Sequence, residues 1–140
     1  MKIKTAEADD FEVIYELNNQ LEEKVLDKEG FRKAFDYALE NDRIYVLEEE
    51  GEVVAFVHLR VSPQLCRAAE ILEIRELCVR EDLRSKGYGR ILLKKAEAFA
   101  EERGISEIEV LSSLRRERAH HFYEANGYEI TGYRFFNKEK

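Results

Sequence analysis

The fold is decided by residues 71–104, which read ILEIRELCVREDLRSKGYGRILLKKAEAFAEERG. Their pattern predicts an apolar strand up to Val79, a charged turn, and an amphipathic helix that ends at Gly104. Just before the helix the turn reads Arg84-Ser85-Lys86-Gly87-Tyr88-Gly89. The first amides of a helix have no intrahelical acceptor and lie at the positive end of its dipole, and glycines allow a ligand to approach the backbone. With the added charges of its arginine and lysine, this turn is expected to bind a pyrophosphate.

This turn resembles the cofactor loop of the GNAT superfamily of acetyl-CoA-dependent N-acetyltransferases, whose pattern is Arg/Gln-x-x-Gly-x-Gly/Ala. A second family signature, AHHFYEANGY at residues 119–128, follows at the expected distance. Together with the order of the predicted elements, the two matches cover nearly the whole chain. The resemblance implies an α/β GNAT fold, with a mixed and strongly twisted sheet of six or seven strands flanked by about four helices. We expect residues 1–140 to form a single N-acetyltransferase domain.

The other elements follow from hydrophobic periodicity and from turn residues. They are, in order, a strand over 1–6, a helix with apolar spacing from Phe11 to Val25, a helix over 29–40, strands over 43–48, 52–61 and 106–111, a helix over 116–125, a last strand over 128–136 and a tail over 138–140. The strand, helix and strand around the cofactor turn imply a right-handed parallel crossover.

The apolar phase changes within the strand that ends at Val79. Strict alternation would place Ile74 on the face opposite Leu77 and Val79, whereas one extra residue between Ile74 and Leu77 would bring all three onto one face. The sequence therefore predicts a β-bulge, a feature that redirects side chains and leaves backbone groups unpaired beside active sites. The alternative is a regular strand whose polar residues face water.

The resemblance implies acetyl-CoA as co-substrate. A bulge here, with the parting of the next strand, would free main-chain groups near Cys78 to pair with the pantetheine arm and to stabilise an oxyanion. Arg116 stands where many relatives have an asparagine, and an arginine there could reach the same phosphates. The implied cofactor-binding residues are Leu77, Cys78, Val79, Arg84, Ser85, Lys86, Gly87, Tyr88, Gly89 and Arg116.

Acetyl transfer to an amine needs a group that accepts a proton, because a free alkylamine with a pKa near ~10 is protonated at neutral pH. Counted back without gaps from the cofactor loop, Glu73 falls where the peptide-acetylating branch of the family has its glutamate base. Glu76, at the expected bulge, is the alternative base, and a water could relay the proton to either carboxylate. Both could equally be ordinary charges paired with Arg75. Tyr123 resembles the family's general-acid tyrosine, and its alternative role is an aromatic anchor for the last helix.

The histidines and Cys78 receive a structural interpretation. His58, in a predicted strand, has no partner by spacing and is expected to be hydrogen-bonded or exposed rather than catalytic. His120 and His121 would point in different directions on a helix, and no further ligand stands at metal spacing, so no metal site is expected. Cys78 is expected to be a small buried residue rather than a nucleophile, because no histidine base is placed near it.

Composition limits the class of partner. The net charge of −7 argues against general nucleic-acid binding, and no apolar run is long enough to span a membrane. No secretory signal opens the chain, and Cys66 and Cys78 make no disulfide framework, so we expect a cytoplasmic protein. The acceptor is expected to be a small-molecule amine or a protein amine. Homodimers are common in the family, but the sequence specifies no interface.

Three functions stay open on this evidence. The first is acetyl transfer from acetyl-CoA to a primary amine by direct attack in a ternary complex. The second keeps the fold and acetylates a protein N-terminus or a lysine. The third is a CoA-binding sensor without turnover, which the presence of a candidate base and of Tyr123 disfavours.

Overall fold

The computed structural model describes residues 1–112 and 116–137. These residues form five strands and four α-helices, with short 3-10 turns at Ala8–Asp10, Leu65–Arg67 and Glu81–Leu83. The strands are β1 (Lys2–Thr5), β2 (Arg43–Glu49), β3 (Glu52–Gln64), β4 (Ala69–Val79) and β5 (Ile108–Val110). The helices are α1 (Phe11–Glu22), α2 (Lys28–Asn41), α3 (Tyr88–Glu102) and α4 (Glu117–Ala125). The predicted tail over 138–140 lies outside the described residues.

One mixed sheet contains the five strands in the order β1-β2-β3-β4-β5. The first four strands pair antiparallel, and β5 pairs parallel to β4 after the crossover through α3. The tight turn between β2 and β3 is possible because Glu50 and Gly51 both take positive φ values, as two-residue hairpin turns commonly require. The predicted mixed α/β architecture with about four helices is confirmed.

The strand count differs from the predicted six or seven, because the described residues form five strands. The difference lies near the end of the chain, where residues 128–136 are predicted to return as a strand but do not pair with the sheet. Residues 129–137 are all exposed, including the apolar side chains of Ile130, Tyr133, Phe135 and Phe136. Alternating apolar residues favour a strand only where a neighbouring strand supplies hydrogen-bond partners, and β5 offers an edge of just 3 residues.

Apolar side chains are buried on both faces of the sheet. One core lies between the sheet and α3, and the other lies between the sheet and the pair α1 and α2. Alternation along β2 puts Leu47 in the first core and Val46 in the second, as expected for a strand covered on both sides. The sheet thus lies between α3 on one face and the pair α1 and α2 on the other. Because both faces are packed, the ends of its strands are rigid supports for a site.

The predicted bulge in β4 is present. His58 of β3 pairs with Glu76, whereas the next residue of β3 pairs with Ile74, so Arg75 is the extra residue. Ile74 belongs to the core under α3, and Leu77 packs against the same core. The bulge therefore brings Ile74 onto the face of Leu77, as the change of apolar phase predicts.

The strand β4 continues beyond its parallel partner. Within residues 1–112 and 116–137, β5 pairs with β4 only at Leu72, Glu73 and Ile74, while β4 runs on to Val79 along β3. The main chain of β4 beyond the bulge is therefore open on the side that faces away from β3. This open stretch leads directly into the turn before α3.

Leu92→Ala tests the core under α3. The side chain of Leu92 is 0% exposed, and truncation of a buried leucine removes apolar contacts and leaves a cavity. We expect the free energy of unfolding, measured by urea denaturation, to fall by about 2–5 kcal/mol. Glu101→Ala, at an exposed position of the same helix, should change it by less than about 0.5 kcal/mol. Equal effects of the two substitutions would contradict this assignment of the core.

Candidate active site

The turn between β4 and α3 has the backbone of an anion site. Gly87 immediately precedes α3 and has a φ of 93°, a left-handed conformation that glycine adopts without strain. Ser85 in the same turn also has a positive φ, 65°. Helix geometry leaves the amides of Tyr88, Gly89 and Arg90 without intrahelical acceptors, and the dipole of α3 makes this end positive. The turn can therefore bind a phosphate through main-chain donors.

Cationic side chains surround this turn. Arg84 and Lys86 belong to it, and Arg84 donates from Nε to the carbonyl oxygen of Val79 at 3.2 Å. Arg118, near the start of α4, donates to the hydroxyl of Ser85. Sequence reasoning misses Arg118, because its contact with the turn depends on how α4 packs. The amides together with these arginine and lysine side chains fit a diphosphate, the group that the loop pattern predicts.

Gly89 joins the two sequence signatures. A Cβ on Gly89 would lie 3.3 Å from Cζ of Phe122, which belongs to α4. That separation is tighter than most Cβ contacts in proteins, so a side chain there would push α4 away from the turn. The glycine of the first signature thus allows the aromatic residue of the second to pack beside the cofactor loop.

The open stretch of β4 presents main-chain groups of two residues. The amide of Arg80 donates to the carbonyl oxygen of Val54 at 2.8 Å, which fixes the alternation of the antiparallel ladder. Pairs that exchange hydrogen bonds alternate with pairs whose N–H and C=O groups point away from the partner strand. Leu77 and Val79 are of the second kind, whereas Cys78 is of the first. Of the three residues predicted to pair with the pantetheine arm, Leu77 and Val79 therefore direct main-chain groups into the opening, and Cys78 directs its own toward β3.

The thiol of Cys78 is buried in the core formed with α1 and α2. Burial raises the pKa of this thiol well above its ordinary value. Because the thiolate is the reactive form of cysteine, a thiol that stays protonated is a poor nucleophile. The environment of Cys78 agrees with a packing role.

Tyr123 of α4 lies close enough to Cys78 for an electrostatic interaction. Its ring makes edge contacts with the rings of Phe122 and Tyr128, at centroid distances of 5.2 and 6.0 Å. Burial raises the pKa of its phenol well above the ordinary value, so the hydroxyl keeps its proton at neutral pH. A protonated phenol held between rings can both anchor α4 and donate a proton, so the two roles considered for Tyr123 are compatible.

Arg116 forms an ion pair with the end of α1. Its Nη2 lies 2.6 Å from Oε2 of Glu22, a partner that sequence reasoning does not provide. Both residues interact electrostatically with Cys78, which places the pair near the open stretch of β4. Contact between Arg116 and a cofactor phosphate stays a prediction, and it requires this ion pair to open or to share the guanidinium group.

The two candidate bases have different surroundings. The side chain of Glu73 is 13% exposed, and its Oε1 lies 3.7 Å from Nη1 of Arg75. The side chain of Glu76 is 32% exposed, and its Oε1 lies 2.8 Å from Nδ1 of His58. The bulge causes this difference, because the extra residue Arg75 sets Glu76 directly across the ladder from His58.

A small pocket lies between the sheet and the helices α1 and α2. Its volume is about 60 Å³, room for about two water molecules at liquid density. Aromatic and aliphatic side chains form most of its wall, and its polar lining groups are Asn18, His58 and Glu76. Glu73 is not among the residues of this wall, so Glu76 is the carboxylate that can meet a guest in the pocket.

His58 connects Glu76 to a second carboxylate. Nε2 of His58 lies 2.7 Å from Oδ2 of Asp42, and Arg60 donates to the same carboxylate from Nε at 3.0 Å and from Nη2 at 2.9 Å. We call Asp42, His58, Arg60 and Glu76 the polar array. The prediction that His58 is hydrogen-bonded is confirmed.

Opposing effects set the charge of the polar array. Burial alone lowers the pKa of His58, but the hydrogen bonds and charges of Glu76 and Asp42 outweigh it, so the pKa lies above its ordinary value. Burial alone raises the pKa of Asp42, but the combined effect of Arg60 and His58 is larger and lowers it. Asp42 is therefore ionised and His58 tends to carry a second proton.

Sequence reasoning misses the array because its members lie far apart in the chain: one precedes β2, two belong to β3 and one belongs to β4. Asp42 and His58 are 16 residues apart, so no local spacing joins them. The available signal is the hairpin register, since His58 pairs with Ile44 and the residues just before β2 therefore lie near it. A predicted register for this hairpin would have placed Asp42, two residues before Ile44, close to His58.

Two further features of the described residues concern metals and membranes. Residues 1–112 and 116–137 contain no group of three or more His, Cys, Asp or Glu side chains arranged to hold a metal ion. Every helix in that part of the chain is too short or too polar to span a bilayer.

Comparison with known proteins identifies the class of enzyme. The sequence model of the Acetyltransferase (GNAT) family matches residues 11–128. The aminoalkylphosphonate N-acetyltransferase of Salmonella typhimurium is 31% identical over 136 residues, which cover 96% of this chain and 88% of that protein. The chain therefore belongs to the GNAT family of acetyltransferases, and the resemblance of its two signatures is confirmed.

Solved structures share the fold at low sequence identity. A crystal structure described as a transcriptional regulator from Bacillus halodurans C-125 has a TM-score of 0.87, 20% identity and coverage of 99% of both chains. The aminoglycoside N-acetyltransferase AAC(6')-Iy in complex with CoA has a TM-score of 0.85 and 14% identity, and covers 99% of this chain and 94% of its own. These likenesses confirm the α/β GNAT fold, and at this level of identity they assign no substrate.

Gly87→Glu tests the anion site in the turn. A glutamate there would strain the left-handed backbone and place a negative charge beside the helix amides, so we expect the affinity for CoA to fall at least about tenfold. Isothermal titration calorimetry measures this affinity directly.

Gly51→Glu is the matched control for this substitution. Gly51 also has a positive φ, 81°, with nothing within 4 Å of an added Cβ, and it lies in the β2–β3 turn. The control should lose a similar amount of stability and keep its affinity for CoA. A similar loss of affinity in both variants would remove the turn from the binding site.

Proposed function

We propose that this enzyme transfers the acetyl group of acetyl-CoA to a small primary amine by direct attack in a ternary complex. One observation carries the proposal: two side chains that can transfer protons lie on either side of the cofactor turn. Glu76 stands two residues before Cys78 on the open stretch of β4, and the ring of Tyr123 contacts Phe122, which packs against Gly89 of the turn. The turn that can bind a diphosphate follows directly after that stretch. An anion site, open main chain and two proton-transfer groups in one place are what acyl transfer from a CoA thioester requires.

The chain offers separate contacts for the two ends of the co-substrate. In this proposal the amides around Gly87, with Arg84 and Lys86, bind the diphosphate, and the main-chain groups of Leu77 and Val79 orient the pantetheine arm. Bound in this way, acetyl-CoA supplies an activated acyl group. The buried and protonated thiol of Cys78 favours direct transfer over a covalent acyl-enzyme.

Two side chains transfer protons in this proposal, one as a general base and one as a general acid. Glu76 accepts the proton of the amine, either directly or through a water in the pocket that it lines. Tyr123, which holds its phenolic proton at neutral pH, gives that proton to the departing thiolate. Glu73 stays the alternative base. To accept a proton, its carboxylate would first have to leave its ion pair with Arg75.

An aminoalkylphosphonate is the acceptor that we propose to test first. The relative from Salmonella typhimurium that matches 96% of this chain is an aminoalkylphosphonate N-acetyltransferase. The pocket of about 60 Å³ beside Glu76 favours a short aliphatic amine. Arg60 and Arg75 have side chains that are 33% and 28% exposed, and such cations could pair with a phosphonate.

Release of the CoA thiol in the presence of acetyl-CoA and a panel of amines tests the proposed activity. The panel should contain short aminoalkylphosphonates, the matching alkylamines without phosphonate, an aminoglycoside, and peptides with a free N-terminus or a lysine. We expect the phosphonates to give the highest kcat/KM. Turnover with peptides alone would indicate a protein acetyltransferase, and CoA binding without turnover across the panel would indicate a sensor.

Tyr123→Phe tests the proton donor. Removal of the hydroxyl leaves the ring contacts in place, so we expect kcat to fall by about tenfold to a hundredfold while the affinity for CoA stays within about twofold. Tyr128→Phe is the matched control, because it removes a hydroxyl that bonds to Glu97 at 2.9 Å from a neighbouring ring. The control should keep its kcat, and an unchanged kcat in Tyr123→Phe would end the assignment of this residue.

Glu76→Gln and Glu73→Gln separate the two candidate bases. Because Glu76 lines the pocket and Glu73 does not, we expect the first substitution to lower kcat at pH 7 by about a hundredfold and the second by less than about threefold. Steady-state assays with the best amine of the panel measure both values. The reverse order would assign the base to Glu73.

A further inference from the structure

We propose that His58 is a positioning residue for Glu76: protonated on both ring nitrogens, it holds the carboxylate at the pocket, while Asp42 holds the ring. This inference rests on the proposed function, because it concerns the proton acceptor of acetyl transfer. It adds a residue that neither sequence signature contains.

The contacts of His58 favour two donors on one ring. Nδ1 lies 2.8 Å from Oε1 of Glu76, and Nε2 lies 2.7 Å from Oδ2 of Asp42. A neutral imidazole has one N–H and one lone pair, so it would set a lone pair against a carboxylate oxygen on one side. A ring that carries two N–H groups donates to both carboxylates, which is the arrangement that these distances favour.

Asp42 fixes the ring, and Glu76 is the partner that faces the pocket. The side chain of Asp42 is 3% exposed and pairs with Arg60 as well as with His58, so its carboxylate is held from two sides. The side chain of Glu76 is 32% exposed and belongs to the pocket wall. A reaction in the pocket can therefore affect the proton between Nδ1 of His58 and Oε1 of Glu76. The other oxygen of Glu76, Oε2, would accept a hydrogen bond or a proton from an amine or a water.

The charges around His58 also favour the second proton. Asp42 follows α2, Glu73 and Glu76 come from β4, Arg60 comes from β3 itself, and Arg75 pairs with Glu73. The helix α2 adds Tyr37, whose ring lies 5.5 Å from the guanidinium of Arg60. The helix α1 adds two uncharged residues to the pocket wall, Ile14 and Asn18. Three carboxylates face two arginines, so a protonated imidazole makes the group neutral.

The raised pKa of His58 gives the sign of the pH dependence. Below this pKa the ring carries both protons and holds Glu76. As pH rises through it, the ring keeps one N–H group. The more buried carboxylate, Asp42, retains that donor, so Glu76 loses its own and kcat should fall on the alkaline side. The stabilisation of the folded state by this protonation follows the same sign: it is complete below the unfolded pKa of about 6.5 and is lost as pH rises through the higher folded pKa.

Two substitutions of His58 separate positioning from packing. His58→Leu keeps a side chain of moderate size and removes the donor, so we expect kcat at pH 7 to fall about tenfold or more while the affinity for CoA stays within about twofold. His58→Gln keeps an amide donor that does not titrate. It should restore most of kcat and remove the alkaline fall.

His121→Gln, at an exposed position of α4, is the control for the loss of a histidine, and it should keep the wild-type kcat and pH profile. Equal losses in His58→Leu and His58→Gln, or a wild-type alkaline limb in His58→Gln, would overturn the proposal. Absence of turnover by the wild-type enzyme with every amine would instead count against the proposed function.

Titration of the ring nitrogens of His58 by NMR, on the full chain without substrates, decides the inference independently of turnover. We expect two protonated nitrogens at pH 7 in the wild type, and a pKa that falls by at least about one pH unit in Glu76→Gln. A singly protonated ring at pH 7, or the same titration in both proteins, would overturn the proposal. The wild-type titration remains decisive even where His58→Leu fails to fold.

Discussion

The extra residue Arg75 in β4 is the constraint on which the site depends. A bulge interrupts the ladder and leaves one residue without a partner, and this local loss is offset because Ile74 stays buried under α3. The same residue sets Glu76 across from His58. Beyond it, β4 runs on without its parallel partner, so main chain that a regular sheet would pair is left open. The inserted residue thus sets the position of the candidate base, and the short pairing of β5 leaves the opening beside it.

The anion site and the opening are neighbours because a short turn joins β4 to α3. The helix dipole and the left-handed Gly87 define where a diphosphate would bind, and the ladder alternation defines which carbonyl and amide groups of β4 point into the opening. The fourth helix completes this region through the contact of Phe122 with Gly89. A long, thin molecule can therefore be held by charge at one end and by directional hydrogen bonds along its length.

The polar array shows how charged groups can be held under two helices. Burial of a carboxylate such as Asp42 is costly unless charges and hydrogen bonds compensate for lost water. Arg60 and His58 provide these interactions for Asp42. His58 also forms a hydrogen bond with Glu76 through its other ring nitrogen. Such an array contributes less to stability than an apolar core of the same volume would. In return, its hydrogen bonds hold each side chain in one defined position. A fixed position for each member suits the proton transfer that we propose for this pocket.

The sequence by itself determined the features that arise from local rules: the glycine turn before α3, the amphipathic helices, and the bulge between Ile74 and Leu77. Each depends on neighbours in the chain, either through φ values that glycine permits or through the phase of apolar residues. Only the tertiary structure decided that Glu76 rather than Glu73 lines the pocket, that Arg116 pairs with Glu22, and that residues 128–136 do not join the sheet. The physical reason is distance along the chain. Glu22 and Arg116 are separated by 94 positions, and contacts of that kind are specified by how layers pack and strands align, which no local pattern contains.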